Sequence, residues 1–270
     1  MVEITKKYKI GSRRFGLINW VGAWTLYKKE VLRFLIVWIQ TIFSPLISSL
    51  LFLLVLSLAI GADRGDVLGV PFITFLAPGL ISMQVIQQSF SNSSSSFMIG
   101  KIQGNIVDLL YAPLSATEVT ISIALAAVTR SVMIAIVSII VFKLIIDIEI
   151  TNYFLLIVFT LLSSFILGNI GIIAGLWAEK FDHMATVTNF VIVPLSFLSG
   201  TFYSIERLPE VLQIISKANP FFYMIDGFRY SFIGKADGSI FIGLTYLSVL
   251  SFVSWFVTYL LYKKGYKIKS

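Results

Sequence analysis

The chain has 270 residues, of which 57% are hydrophobic and only 13% charged, against about 45–50% and about 25% in an ordinary soluble domain. Whole stretches lack the charged faces that a soluble core needs around it, which argues against a soluble fold, and the absence of cysteine excludes disulfides, thiolate metal sites and a cysteine nucleophile. The net charge of +7 does not mark a nucleic-acid patch, because eight of the 21 Lys and Arg lie between Lys6 and Arg33 and four between Lys263 and Lys269, with long apolar runs between them; that is the positive-inside pattern of a membrane protein with both termini in the cytoplasm.

The first 34 residues are too polar for a cleaved signal peptide. Within them, Leu17, Trp20, Trp24, Tyr27, Val31 and Phe34 recur at intervals of three and four, with Arg13, Lys28, Lys29 and Arg33 mostly between. Residues 11–34 therefore read as a helix lying in the membrane interface, either a simple anchor or a docking surface for a partner. Leu35 to Ile60 is 26 residues without a charge, enough to cross a hydrocarbon core of about 30 Å with some tilt. After a short turn with Asp63, Arg64 and Asp66, residues 72–97 form a second span that ends in the polar run Ser89 to Ser96. Such a run either hydrogen-bonds neighbouring helices or lines a polar pathway.

Residues 99–114 follow. Ile99, Ile102, Ile106, Leu109 and Leu110 mark one face of a short amphipathic helix that Pro113 stops, a surface lever that can move spans two and three together. Residues 119–142 make span three, interrupted by Arg130, and residues 154–177 make span four, where Gly168, Gly171 and Gly175 permit close helix approach. Residues 184–202 make a shorter span five with Pro194 inside, and residues 240–262 make span six before a basic tail, 263–270. Between the last two lie an amphipathic piece at 208–218 and an apolar piece at 219–234 that is too short, and with Asp226 and Arg229 too charged, to span. The expected architecture is an all-α membrane domain over 35–262 with six spans. Its inner side holds 14 Lys or Arg and its outer side six, but the tails supply 12 of the 14, so the termini are better fixed than the number of crossings.

Chemistry is sparse. The spans hold no carboxylate pair, histidine cluster or nucleophile with a base, so no catalytic residue and no metal site is expected. The one histidine, His183, falls in a short polar loop, and Asp63 and Asp66 read as solvated turn residues. Arg130 is the single charge well inside a span; it cannot shuttle protons, and it either meets an anionic group of a substrate or pairs with acceptors of another helix. An ion-coupled carrier would need acids within the spans, and a membrane-embedded lipid-modifying enzyme a charged catalytic loop. These two remain the alternatives.

Two separated signatures carry a family resemblance. The segment with Gly104, Asp108, Leu109, Leu110, Pro113, Leu114 and Ser115 resembles the cytoplasmic coupling segment of ABC-2 type exporter permeases, although the acid there is more often Glu. The run from Leu198-Ser199-Gly200-Thr201-Phe202 through Leu208-Pro209 to Asn219-Pro220-Phe221-Phe222-Tyr223-Met224-Ile225-Asp226-Gly227-Phe228-Arg229 resembles the outer segment of the same family. The likeness covers nearly the whole chain and looks closest to the bacterial drug and lipo-oligosaccharide branch. It implies a non-catalytic permease of the cytoplasmic (inner) membrane that pairs with itself and with two copies of a separate ATP-binding subunit. ATP and Mg would be bound by that partner, with no cofactor in this chain, which has no phosphate-binding G-x-x-x-x-G-K-[ST] loop. It also implies that Ile102, Gly104, Ile106, Asp108, Leu109, Leu110 and Pro113 dock on the ATPase, that spans one and five meet at a dimer interface, and that residues 204–234 form a re-entrant helical hairpin, with Asn219 and Pro220 in it and with Asp226 and Arg229 facing water or each other's helices. An amphiphilic substrate would pass between two copies.

Overall fold

Pro71, with φ −52° and ψ 143°, starts the longest helix of the protein, α3 (Phe72–Ile102), which at 31 residues is about 46 Å long. In this computed structural model, residues 18–59 and 65–268 are described. The remaining elements are α1 (Trp20–Ile36), α2 (Ile39–Ala59), α4 (Ile106–Tyr111), α5 (Ala116–Ile145), α6 (Tyr153–Trp177), α7 (Phe181–Leu198), α8 (Glu210–Ala218), α9 (Pro220–Ile233) and α10 (Ile240–Lys263). The all-α membrane architecture is present, and the described residues contain no strand.

Among the described residues, five helices are long and apolar enough to cross a membrane: α2, α5, α6, α7 and α10. The second expected span lies in α3, which is long enough but is diluted by Gln84, Gln87, Gln88 and the serine–asparagine run. It tolerates them because protein sheathes it. Ser89, Asn92 and Ser93 are fully buried, and the glycines of α6 supply the room. A Cβ on Gly171 would stand 2.5 Å from the Phe90 carbonyl oxygen, and one on Gly175 2.9 Å from that of Ser94. The Ser89 hydroxyl donates across this seam to the Ser164 carbonyl. The polar run thus serves helix packing at these positions, the small-residue contact that brings helices together in a medium as apolar as their own side chains.

Local sequence sets the helix ends. Asn152 caps α6 through the Leu155 amide at 3.0 Å, Asn219 caps α9 ahead of Pro220, and Gly234, at φ 71°, ends α9. Both α2 and α7 contain one π-helical turn, at Ile39–Phe43 and Thr188–Ile192. Span five is shifted from the expected 184–202 to 181–198, since Ser199 and Gly200 (φ 77°) leave the helix.

The stretch expected as an interfacial helix is helical from Trp20, as α1, and its expected first residues, 11–17, lie outside the described ones. Trp20 and Trp24 stay exposed, as a lipid-facing stripe does, while Leu26, Glu30 and Phe34 face the bundle. α1 runs along the first half of α5, with Ser122 donating to the Ala23 carbonyl at 3.1 Å and Tyr27 bonded to Thr129 at 2.8 Å. The start of α1, α4 and the tail through Ile268 lie at one end of the bundle, where Leu26, Phe97, Ile106, Leu176 and Ile268 share a core cluster.

Candidate coupling surface and intramembrane site

At the α4 end, two of the longest helices are joined by a short turn. α3 stops at Ile102 because Gly104 turns the chain at φ 76°, a conformation L side chains rarely adopt. The amphipathic helix expected over 99–110 is therefore two pieces: Ile99 and Ile102 belong to α3, and α4 has only the six residues Ile106–Tyr111. Ile106 is buried, Leu109 half-buried, and Asp108, Leu110 and Pro113 exposed. With Ile102, Val107 and Tyr111 also exposed, the turn presents an apolar patch around one carboxylate.

A hydrogen-bonded knot holds that turn, and its key residue does not stand out in the sequence. The Glu118 carboxylate accepts from the Asn19 amide at 2.6 Å and the Ser115 amide at 2.7 Å, while the Ser115 hydroxyl accepts from the Glu118 amide. Asn19 also donates to the Pro113 carbonyl at 3.0 Å. One carboxylate thus ties the start of α1, the coupling turn and the start of α5. The spacing Ser115-Ala116-Thr117-Glu118 is a capping box, the signal that could have found it. Glu118→Ala strands two amide donors at a buried position and is expected to lower stability by about 1–3 kcal/mol, read from thermal unfolding of the purified chain.

The same end carries further ties. Lys101 donates to the carbonyls of Leu176 and Ala178, and Lys267 pairs with Glu179 at 3.0 Å. The bonded Lys267 ammonium holds the Glu179 carboxyl below its usual range. His183 accepts from the Glu179 amide at 3.3 Å, and no cluster of His, Cys, Asp and Glu fit for a metal occurs among the described residues.

Halfway along the bundle, Arg130 is half-buried and donates to Gln88 and, at 3.5 Å, to Asn92. Both acceptors are amide oxygens. At the opposite end, Asp226 and Arg229 are 2% and 1% exposed, so they face neither water nor another helix's charge. Asp226 accepts the amides of Asp237 and Gly238, each at 2.9 Å. Arg229 donates to the carbonyls of Gly200 and Thr201 and lies 3.9 Å from the centre of the Phe75 ring. Asp237 in turn accepts from Ser204 and the Ile205 amide. The beginning and end of the 204–238 segment are thereby fastened together. Its apex, Asn219, is tied to Leu195 and Ser199 of the α7 end, so α8 and α9 form a closed hairpin with the amphipathic α8 outermost.

A model of the ABC-2 type transporter family matches residues 22–233, the stretch that contains both the coupling turn and this hairpin. The chain belongs to the ABC-2 type transporter family. It is 31% identical over 253 residues to the inner membrane transport permease YadH of Escherichia coli K12, covering 94% of this chain and 99% of that protein. It is also 22% identical to nodulation protein J of Neorhizobium galegae, across 92% of this chain and 94% of that one, and 23% identical to nodulation protein J of Rhizobium leguminosarum bv. viciae, across 90% and 93%. As an ABC-2 type chain with several membrane-crossing helices, it is a multi-pass transmembrane permease subunit of an ABC transporter, and membership implies an ABC ATP-binding subunit as its partner.

Proposed function

We propose that this ABC-2 permease exports an amphiphilic substrate across the cytoplasmic membrane as a homodimer with two copies of a separate ATP-binding subunit, both termini facing the cytoplasm. The observation that carries the reading is the exposed patch of Ile102, Val107, Leu110 and Tyr111 around Asp108, on a turn that joins α3 to α5 and is braced by Glu118. Closure of an ATPase cleft around α4 moves both long helices, and ATP supplies the differential affinity that shifts the permease between states. ATP and Mg sit in that partner. The helices α2, α7 and α10 are all lightly covered by the rest of the chain, which leaves faces on which two copies can meet, and the family likeness favours α2 and α7 among them. The fastened 204–238 hairpin fits an outer gate.

The test is purification of the tagged full chain from its native membrane in mild detergent. A co-purifying soluble ATP-binding protein and ATP hydrolysis by the complex are the expected result. Asp108→Lys is expected to weaken partner binding at least about tenfold, the effect of about 1.4 kcal/mol, and unchanged binding with unchanged coupled hydrolysis would remove Asp108 from the docking surface. A chain that purifies alone and moves solute under an ion gradient would replace the whole reading with a secondary transporter.

A further inference from the structure

Two guanidinium groups converge on one asparagine in the middle of the bundle. Arg33 of α1 donates to the Asn92 carbonyl at 2.7 Å, to the Asn92 side-chain oxygen at 3.2 Å and to Ser95 at 3.1 Å. Arg130 of α5 reaches the same side-chain oxygen from the other side. Glu30, bonded to Arg33 at 3.0 Å, is the only carboxylate paired with either among the described residues. Two cations share one anion, and amide oxygens solvate the second charge without neutralising it. The Asn92 side-chain nitrogen and Arg130 Nε, both buried, have no protein acceptor. The cluster therefore has donors to spare and an excess of one positive charge.

It also has an opening. Gln88, which accepts from Arg130, also lines a cleft of about 210 Å³ between α2 and α3, whose wall is polar at Gln84, Gln87, Ser44 and Ser48 and apolar elsewhere, so the guanidinium stands behind Gln88 and not on the wall itself. A polar cleft backed by a cation at this depth is costly in a membrane, at least about 2.5–3.5 kcal/mol for the arginine alone. The group that offsets the charge is an oxyanion that displaces Gln88 from Arg130, since a guanidinium meets such a group with two parallel bonds.

We infer that this cleft binds the anionic headgroup of an amphiphile, a phosphate carried on a lipid chain, with Gln88 on its wall and Arg130, directly behind Gln88, as the counter-ion. This rests on the export reading and deepens it by giving the cargo a charge. A cationic amphiphile is repelled from the same cleft.

The test uses the full chain in phosphatidylcholine nanodiscs containing small amounts of diazirine-bearing phosphatidic acid or, separately, diazirine-bearing phosphatidylcholine with identical acyl chains. Labelling of the peptides spanning 44–48 and 84–92 is expected to be about tenfold higher with phosphatidic acid, to lose that preference in Arg130→Gln and to keep it in Arg130→Lys. Size-exclusion elution identical to the parent shows that the variants fold. Equal labelling by the two lipids, or a preference that survives Arg130→Gln, would overturn the site, and full displacement by millimolar inorganic phosphate would overturn its assignment to a lipid-borne group. Co-purification of an ATPase is an independent readout, so the permease reading stands if only the anion site fails.

Discussion

Arg229→Met is expected to cost about 3–5 kcal/mol and to abolish recovery of monodisperse protein, because methionine keeps the apolar stem but removes the charge and the donors that hold the turn after α7. The carbonyls of Gly200 and Thr201 lose their partner at a site where the side chain is 1% exposed. The Phe75 ring loses a cation 3.9 Å away. Asp226, one helical turn earlier, is left as a buried carboxylate with no cation nearby and only two amide donors. Asp226→Asn alone is expected to be milder, about 1–3 kcal/mol, since its side-chain oxygen can still accept one of those amides. The two do not bond to each other, so their coupling is electrostatic, and the double variant should cost less than the sum of the singles. Thermal unfolding of the four proteins in one detergent measures that difference. Strict additivity would show that Asp226 and Arg229 fasten their two loops independently.

The second large effect belongs to the seam between α3 and α6. A Cβ on Gly171 would lie 2.5 Å from the Phe90 carbonyl oxygen and 3.1 Å from Ser93 Cβ. The obstacle is main chain, which no rotamer change can move aside. Gly171→Ala is expected to lower stability by about 1–3 kcal/mol as the two helices part, and Gly171→Leu to exceed that and prevent folding. Gly65, whose Cβ position has nothing within 4 Å, is the control: Gly65→Ala should leave the unfolding temperature unchanged. The readout is the thermal midpoint alongside the yield of folded protein. A neutral Gly171→Ala would mean that α3 and α6 leave room between them for a methyl group.

The positions of the long helices were legible in the sequence because an apolar run of more than about 20 residues with at most one charge, in a chain this apolar, is rarely anything but a span. The runs read at 119–142, 154–177 and 240–262 fall inside Ala116–Ile145, Tyr153–Trp177 and Ile240–Lys263. What each face touches was not legible, since lipid is as apolar as a packed neighbour and periodicity cannot tell them apart. The tryptophan stripe of α1 looked dominant, yet Leu26, Glu30 and Phe34 face the bundle. The same ambiguity left the Ser89 to Ser96 run of α3 open between helix packing and pathway lining, and protein sheathes most of it. In the candidate site, the coupling turn was found by its Gly–Asp–Pro pattern, but its division at Gly104 and its brace at Glu118 depend on one backbone angle and on partners 99 residues apart. The family likeness implied that Asp226 and Arg229 face water or each other's helices. Their burial follows from loop amides and carbonyls supplied by distant segments, which no local window contains.

The π-helical turns of α2 and α7 each hold one residue more than an α-helix of the same length needs. That surplus residue can be handed along the helix from turn to turn, and each transfer rotates the turn it leaves by roughly 100° about the axis without a net loss of hydrogen bonds. These two spans, both lightly covered by the rest of the chain, thus have a way to change which side chains they present to their surroundings without breaking. Turning in place, instead of tilting, is a motion the unbroken helices α5, α6 and α10 do not share.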